Sequence, residues 1–342
     1  MTAQAHRSAS LDILRVLACA MVVAMHSPMP SAYADGTFLV ALSYLTAPCI
    51  GLFFMVSGAL LLPVKGEMSA FLRRRFGRIL VPVLLWTLLY VCLKLWFSED
   101  EIDIARALLS VPFSPQGNGV LWFMYALTGL YLIAPVISPW LERCREHDIR
   151  LVLLLWGVTL LWPLLENWVD IRQDCTGMLY YFGGYGGYFL LGYYMRRWPA
   201  ALSGKLLWPL CAVALCAPFV YKVCGIECDF YRVFWNLSVF VAVMAAGIFK
   251  GITALCRLTH VRESALAAQL SKCTFGIYLC HIFVMRYVLW KLPFIAGMES
   301  YVLQTVTVFA LTFTLSWALT WAMSWLPFSS WIIGCHNACQ KS

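Results

Sequence analysis

Charged side chains are scarce along this sequence. Asp, Glu, Lys and Arg make up only 12% of its 342 residues, whereas hydrophobic residues make up 62%. Soluble globular domains use roughly 25% charged residues, so this composition excludes a soluble protein. The net charge of +8 does not indicate nucleic-acid binding, because the placement of Lys and Arg in a membrane protein reflects its topology. We predict an all-α polytopic membrane protein with about ten transmembrane helices.

The sequence also lacks a second domain, a low-complexity tract and an internal repeat. About sixteen residues follow Leu326, too few to fold independently. Asp12 and Arg15 interrupt the first apolar run, and further apolar runs follow at once. We therefore expect a retained first helix rather than a cleaved signal peptide, and a single membrane domain over residues 1–342.

Ten apolar segments are long enough, at about 16–25 residues, to cross a bilayer. They lie near 11–29, 38–62, 79–97, 120–140, 151–166, 178–195, 206–222, 233–250, 272–290 and 301–325. Lys and Arg are concentrated in alternate connections, which places these connections and both termini in the cytoplasm. The Lys- and Arg-rich connections lie near 65–78, 143–150, 196–205 and 250–272.

The cysteines indicate neither a disulfide framework nor a metal centre. Most of the 14 Cys lie in apolar runs, where they act as small hydrophobic residues. Cys224 and Cys228 fall in a loop predicted to lie outside, so a disulfide bridge between these two residues is one of the open alternatives. The tail motif Cys335-His336-x-x-Cys339 holds too few ligands for a zinc site, and we expect no metal.

The first span, residues 11–28, contains Asp12, Arg15 and His26. On a helix, the separation of Arg15 and His26 leaves an angular offset of only about 20° and a rise of about 16 Å. All three residues therefore share one stripe. Ionisable side chains inside a membrane are costly, and they usually face a bundle interior or a wet cavity. We favour a functional role for His26 over a hydrogen bond to a neighbouring helix.

A cluster of arginines follows the second span. In the run FLRRRFGRILVP, Arg74, Arg75 and Arg78 have i,i+3 and i,i+4 spacings and would share one helix face. Guanidinium groups arranged in this way bind phosphates through paired hydrogen bonds, which suits a polyanionic cofactor such as coenzyme A. On the charges alone, a topology signal combined with contact to anionic lipids is an equally good explanation.

The ninth span contains a second buried histidine, His281, about 14 Å into the helix by its rise per residue. Tyr278 is its i,i+3 neighbour, and Arg286 follows. Two roles for His281 are consistent with this position: it forms a hydrogen bond that serves packing, or it is a partner in an active site. Two histidines and an arginine inside the membrane are nevertheless hard to explain by packing alone.

The sixth span, YYFGGYGGYFLLGYYM, combines glycines with aromatic residues. Small residues let helices approach each other closely, so we predict that this motif packs against another helix. A sugar-binding groove lined by its aromatic residues is the weaker alternative.

Taken together and in order, these motifs resemble the membrane acyltransferase-3 family of bacterial O-acyltransferases. The likeness extends over essentially the whole chain, and the arrangement is similar to that of stand-alone enzymes that acetylate enterobacterial common antigen or O-antigen. We expect no hydrolase-like domain of the kind fused to some members, so transfer by this protein alone and transfer with a partner both stay open. The motifs are Arg15-x10-His26, FFMVSG at 53–58, RRFGRILVP at 74–82, LWFMYALTGLYLIAP at 121–135, GGYFLLGYYM at 186–195 and TFGIYLCH at 274–281.

The resemblance implies acetyl-CoA as the acyl donor and a hydroxyl of a lipid-linked or surface polysaccharide as the acceptor. It implies a multi-pass protein of the bacterial inner membrane that binds no nucleic acid. It also implies that the arginine cluster at 74–78 binds the donor, through Arg74, Arg75 and Arg78.

The resemblance further implies that Arg15 and His26 are functional, and the chemistry of acyl transfer suggests the roles of these residues and of the ninth span. His26 would accept the proton of the attacking hydroxyl as a general base, and Arg15 would steady the donor. His281 or Tyr278 would orient His26 or stabilise the oxyanion of the tetrahedral intermediate.

Two functions of other classes would use similar residues. A transporter or flippase of a lipid-linked sugar also places Arg and His in the membrane. Such proteins usually consist of repeated halves with broken helices, and this sequence shows no repeat. A non-enzymatic receptor would use the same residues as ligand contacts. We expect acyl transfer, with transport as the alternative.

Overall fold

The structure is a computed structural model that describes residues 8–31, 33–97, 103–114, 119–165, 169, 180–261 and 264–335. These residues form helices and connections without any β-strand, and nine of their helical segments are long and apolar enough to cross a membrane. The predicted all-α polytopic membrane fold is confirmed. The helices are α1 (Ala9–His26), α2 (Gly36–Thr46), α3 (Pro48–Leu61), α4 (Met68–Phe97), α5 (Ile104–Ser110), α6 (Trp122–Arg143), α7 (Glu146–Thr159), α8 (Trp162–Leu165), α9 (Gly186–Arg197), α10 (Gly204–Val223), α11 (Phe230–Val233), α12 (Val239–Leu258), α13 (Ala265–Ile282), α14 (Pro293–Ala296), α15 (Tyr301–Met323) and α16 (Ser329–Ile332).

The chain divides into two compact units. Unit 1 contains most of α1 together with α2, α3 and α7–α12, and unit 2 contains α4, α5, α14–α16 and the larger parts of α6 and α13. Unit 1 comprises Met1–Met25, Ala34–Leu62 and Trp140–Ser271, and unit 2 comprises His26–Tyr33, Pro63–Pro139 and Lys272–Ser342.

In unit 1, helices α3 and α9 pack through glycines. A Cβ atom at Gly58 would collide with the backbone carbonyl of Phe189, and a Cβ atom at Gly192 would collide with the backbone of Met55. Only glycine allows the two backbones to approach so closely. The prediction that the glycine–aromatic motif serves helix packing is confirmed.

The predicted sixth span, 178–195, is a shorter helix in the structure. Residues 178 and 179 lie outside the described part of the chain, and α9 begins only at Gly186 and has 12 residues. Just before it, Gly184 has a φ of +82°, a left-handed conformation that does not continue an α-helix. Helix α9 nevertheless runs beside α7, because the Tyr194 hydroxyl donates to Glu146 at 3.3 Å near one end and Trp156 Nε1 donates to the Gly184 carbonyl oxygen at 2.9 Å near the other.

Other boundaries also differ from the predicted ones. The second span, predicted over 38–62, is divided at Ala47, because Pro48 begins α3 as its first residue. Helix α4 begins at Met68 rather than near residue 79. Cys224 and Cys228 are present as free thiols. Residues 336 and 339 of the tail motif lie outside the described residues. The orientation deduced from Lys and Arg stays a prediction.

In unit 2, α4 is fixed to the C-terminal part of the chain. The indole Nε1 of Trp86 donates to the carbonyl oxygen of Ile332 in α16, 3.0 Å away. Helices α13 and α15 pack closely, since a Cβ atom at Gly276 would meet the side chain of Thr320. The second of these contacts holds α13, which carries His281, against α15.

Candidate functional site

Two histidines from distant parts of the sequence meet in unit 2. His26 ends α1, and His281 lies in the last turn of α13. Their ring centroids are 5.7 Å apart, with an angle of 35° between the ring planes. The side chain of His281 is 0% exposed, whereas His26 is partly accessible. The structure therefore places a partly accessible histidine beside a fully buried one.

The backbone fixes one ring nitrogen of His281. Its Nδ1 atom lies 2.7 Å from the carbonyl oxygen of Tyr278. Because a carbonyl oxygen only accepts hydrogen bonds, Nδ1 carries the hydrogen of this bond. In the neutral ring, Nε2 is then the nitrogen with a free lone pair. Nε2 is buried and has no hydrogen-bond partner among the described residues, which is unusual for a buried polar atom.

A side chain of α4 bonds to the backbone of the helix that carries His281. In a regular α-helix the N–H of Phe283 would donate to the carbonyl oxygen of Leu279. In this structure the Tyr90 hydroxyl accepts the Phe283 N–H at 3.2 Å and donates to the Leu279 carbonyl oxygen at 2.8 Å. A side chain bonded to the backbone in this way is a known cause of helix distortion. Tyr90 thus contacts both ends of the turn that contains His281.

A π-helical segment follows α13 at this position. It comprises Phe283–Val288, and it carries Arg286, whose guanidinium lies 5.5 Å from the ring centroid of Trp290. Short π-helical segments occur frequently at functional sites. The segment places a cation one to two turns beyond His281.

Tyr278 is held by contacts of its own. Its hydroxyl donates to the backbone carbonyl of Val120 at the beginning of the fourth span. Its ring packs edge to face against Phe123, with 5.7 Å between centroids. The carbonyl group of Tyr278 that holds His281 is therefore anchored to a neighbouring helix.

Arg15 lies in unit 1, where its Nη1 atom donates to the hydroxyl of Ser271 at 3.4 Å. Asp12, one turn earlier, is 8% exposed. Helix α1 is unbroken from Ala9 to His26, as the predicted stripe requires. Both ionisable residues near the beginning of α1 are thus engaged or buried inside the protein.

The arginine cluster lies in the N-terminal turns of α4. Because α4 begins at Met68, the predicted helical spacing of Arg74, Arg75 and Arg78 is confirmed. Arg74 and Arg78 are exposed, and Arg74 Nε donates to the carbonyl oxygen of Ala70 at 3.1 Å. Arg75 is half-buried, with its guanidinium 5.8 Å from the ring centroid of Phe71. This face of α4 therefore carries two solvated guanidinium groups and a third that packs against an aromatic ring.

Sequence reasoning missed Tyr90 and the π-helical segment. Tyr90 belongs to an apolar run in which Tyr is a common packing or interfacial residue. Nothing in its spacing indicates that its hydroxyl reaches another helix. Among the described residues there is no group of three His, Cys, Asp or Glu side chains arranged to hold a metal ion.

Comparison with known proteins identifies one family. The profile of the acyltransferase-3 family, described as an acyltransferase domain, matches residues 8–321. This range includes both histidines, Arg15 and the arginine cluster. No curated protein and no solved structure matches the chain.

Proposed function

Because the chain belongs to the acyltransferase-3 family and is thus a membrane acyltransferase, we propose that it transfers an acetyl group from cytoplasmic acetyl-CoA. The proposed acceptor is a hydroxyl of a lipid-linked or cell-surface polysaccharide, and the proposed location is the bacterial inner membrane. Family membership favours this reaction over transport or ligand reception. The observation that carries the proposal is the pairing of His26 with the buried His281.

The chemistry requires a base, because an alcohol is a weak nucleophile at neutral pH. We assign this role to His26, which is partly accessible. Its imidazole accepts the proton of the acceptor hydroxyl while the hydroxyl oxygen bonds to the thioester carbonyl carbon. The tetrahedral intermediate then collapses, the C–S bond breaks, and the imidazolium returns its proton to the thiolate of coenzyme A. The products are the O-acetylated sugar and free coenzyme A.

His281 and Tyr278 are positioning residues in this proposal. The lone pair on His281 Nε2 is available to a donor on His26 or on the substrate, and the Tyr278 carbonyl fixes the His281 ring. Tyr278 is a less suitable oxyanion donor than its sequence position suggested, because its hydroxyl hydrogen is already donated to Val120. Tyr90 contributes by shaping the helix around His281.

Donor binding is assigned to the arginine cluster. The exposed guanidinium groups of Arg74 and Arg78 would bind the phosphates of coenzyme A through bidentate hydrogen bonds, and Arg75 would add charge to the same face. For Arg15 we propose contact with the donor as well. Its bond to Ser271 fixes the direction of the guanidinium.

The test is covalent transfer by the purified protein. Reconstituted protein is incubated with acetyl-CoA labelled in the acetyl group and with lipid-linked glycans extracted from a strain that lacks the gene. The proposal expects label in the glycan, sensitive to mild alkali as an ester is. Glycan without label under conditions in which the protein is folded and binds acetyl-CoA would contradict it. Binding or movement of glycan without label would favour transport instead.

A further inference from the structure

Unit 1 contains a cavity of about 400 Å³. No role in the proposed acyl transfer has been assigned to it above. It is bounded by the end of α7, by the turn that precedes α9 and by the segment that joins α10 to α12. Its volume lies within the range of about 300–1,000 Å³ that is typical of small-molecule sites. By the charge-based topology, the chain segments that form it face the outside.

Aromatic rings dominate the lining of this cavity. Trp162, Tyr180, Tyr185, Tyr231 and Trp235 all contribute. Tyr231 is 66% exposed and Tyr180 is 42% exposed, so these two rings form the accessible rim. The rings of Tyr231 and Trp235 meet at 73° with 5.2 Å between centroids. Together they form an apolar corner that a flat ligand face can contact.

Two buried polar side chains also line the cavity, since Asn236 and Thr159 are each 6% exposed. Arg232 belongs to the exposed part of the lining. With its amide oriented to donate to the Ala47 carbonyl oxygen at 3.2 Å, Asn236 accepts from Trp235 Nε1 at 3.3 Å. The Trp235 ring is therefore held in one orientation before any ligand arrives, which lowers the entropy cost of binding.

This combination fits a carbohydrate. A pyranose ring presents one face of C–H groups, which packs against aromatic rings, and an edge of hydroxyl groups, which needs hydrogen-bond donors and acceptors. Aromatic residues that merely anchor a protein at the membrane interface need neither a cavity nor buried polar groups. We propose that this cavity binds a sugar residue of the acceptor glycan. The identity of the glycan as an acceptor rests on the proposed function, whereas binding itself does not.

Binding is measured directly on the full-length protein. The protein is purified in a polyoxyethylene detergent, because maltoside or glucoside head groups would compete. Tryptophan fluorescence is titrated with methyl glycosides of glucose, galactose, rhamnose and N-acetylglucosamine. Sorbitol, which has hydroxyl groups but no rigid ring face, is the control ligand. The proposal expects a saturable change with at least one glycoside and none with sorbitol.

Variants of lining residues and of a nearby surface residue show whether the glycosides bind in the cavity. Tyr231→Ala and Trp235→Ala should weaken glycoside binding at least fivefold, and Tyr231→Phe should retain it because the ring remains. Tyr181→Ala is the matched control, since Tyr181 is 82% exposed and does not belong to the lining. Trp235→Phe covers the case in which Trp235→Ala does not fold. Absence of a saturable change with every glycoside, or equal effects of Tyr231→Ala and Tyr181→Ala, would overturn the proposal.

The same variants distinguish this inference from the proposed function. In the transfer assay, Tyr231→Ala should raise the KM for the glycan at least fivefold and leave the KM for acetyl-CoA unchanged. His26→Gln should abolish transfer but keep glycoside binding. If no transfer is found and glycosides still bind, the cavity assignment stands and the proposed function fails. If transfer occurs with an unchanged glycan KM in Tyr231→Ala, the cavity assignment fails and the proposed function stands.

Discussion

The hydroxyl oxygen of Tyr90 accepts the backbone N–H of Phe283, 3.2 Å away, and the same hydroxyl donates to the Leu279 carbonyl oxygen at 2.8 Å. A side chain from α4 is thereby bonded to both ends of the helical turn that contains His281. Without the hydroxyl, both of these bonds to α4 would be lost. The turn that contains His281 would then be held less firmly against α4.

Tyr90→Phe tests this relationship. We expect kcat to fall roughly tenfold or more, because a small misplacement of catalytic groups is costly. The KM for acetyl-CoA should stay unchanged. Tyr125→Phe is the matched control, since the Tyr125 hydroxyl donates to the Val111 carbonyl at 2.7 Å, outside α13. A drop in thermal stability with normal kcat would show that Tyr90 is only structural.

The role of the arginine cluster can be tested by comparing substitutions in it with a substitution of the neighbouring Arg73. Arg78→Ala should raise the KM for acetyl-CoA about tenfold, the effect of losing a charged hydrogen bond of ~1.5 kcal/mol. Arg78→Lys should rescue only in part, since an ammonium cannot form the planar fork. Arg73→Ala is the control, because Arg73 is exposed on the same helix but points to another face. Equal effects at positions 73 and 78 would make the cluster a general charge or topology signal.

The packing of α3 against α9 predicts a sharp difference between two glycines. Gly192→Ala should destabilise the protein by about 1–3 kcal/mol, the usual cost of overpacking, because its methyl group would meet the Met55 backbone. Gly157→Ala in α7 should leave the melting temperature unchanged or slightly raise it, since nothing lies within 4 Å of the added atom. Thermal unfolding in detergent gives both values. Equal melting temperatures would contradict the close approach.

The orientation deduced from Lys and Arg predicts which cysteines are accessible from outside. In otherwise cysteine-free protein, an impermeant maleimide added to intact cells should label Cys228 but not an introduced Thr259→Cys. Partial desolvation and the Asp229 carboxylate raise the pKa of the Cys228 thiol, so labelling is best done at about pH 8, nearer the ordinary thiol value. Thr259→Cys should react only after permeabilisation. The reverse pattern would invert the topology and remove the donor site from the cytoplasm.

The sequence was sufficient for features that depend on hydropathy and helical period. The apolar runs predicted the all-α membrane fold, and the 3.6-residue period predicted the shared face of Arg74 and Arg78. The depth of His26 and His281 in apolar segments identified both as candidates for one site. These inferences needed only the composition of a segment and the geometry of a single helix.

Features that depend on contacts between helices or on local backbone conformation could not be obtained in this way. A hydropathy pattern does not distinguish Tyr90, whose hydroxyl enters another helix, from a tyrosine that only packs. Nor does it show that the left-handed Gly184 delays the beginning of α9. Helix α4 extends past the apolar run to Met68, because polar residues are also good helix formers. The sixth-span motif, for which a sugar-binding groove was the weaker alternative, contributes Tyr180 and Tyr185 to the aromatic cavity. The other aromatic residues of the cavity come from separate segments that no local pattern connects to this motif.

The most direct test of the account is the turnover of His26→Gln. Glutamine keeps the size and hydrogen bonding of histidine but cannot accept the hydroxyl proton. We predict that kcat for acetyl transfer, measured per folded protein at saturating acetyl-CoA, falls by roughly 10²–10⁴, the range for a positioned general base. The KM for acetyl-CoA should stay within about twofold, since uniform binding is not affected. A well-folded His26→Gln protein with near-normal kcat would contradict the account and leave His281 as the next candidate for the base.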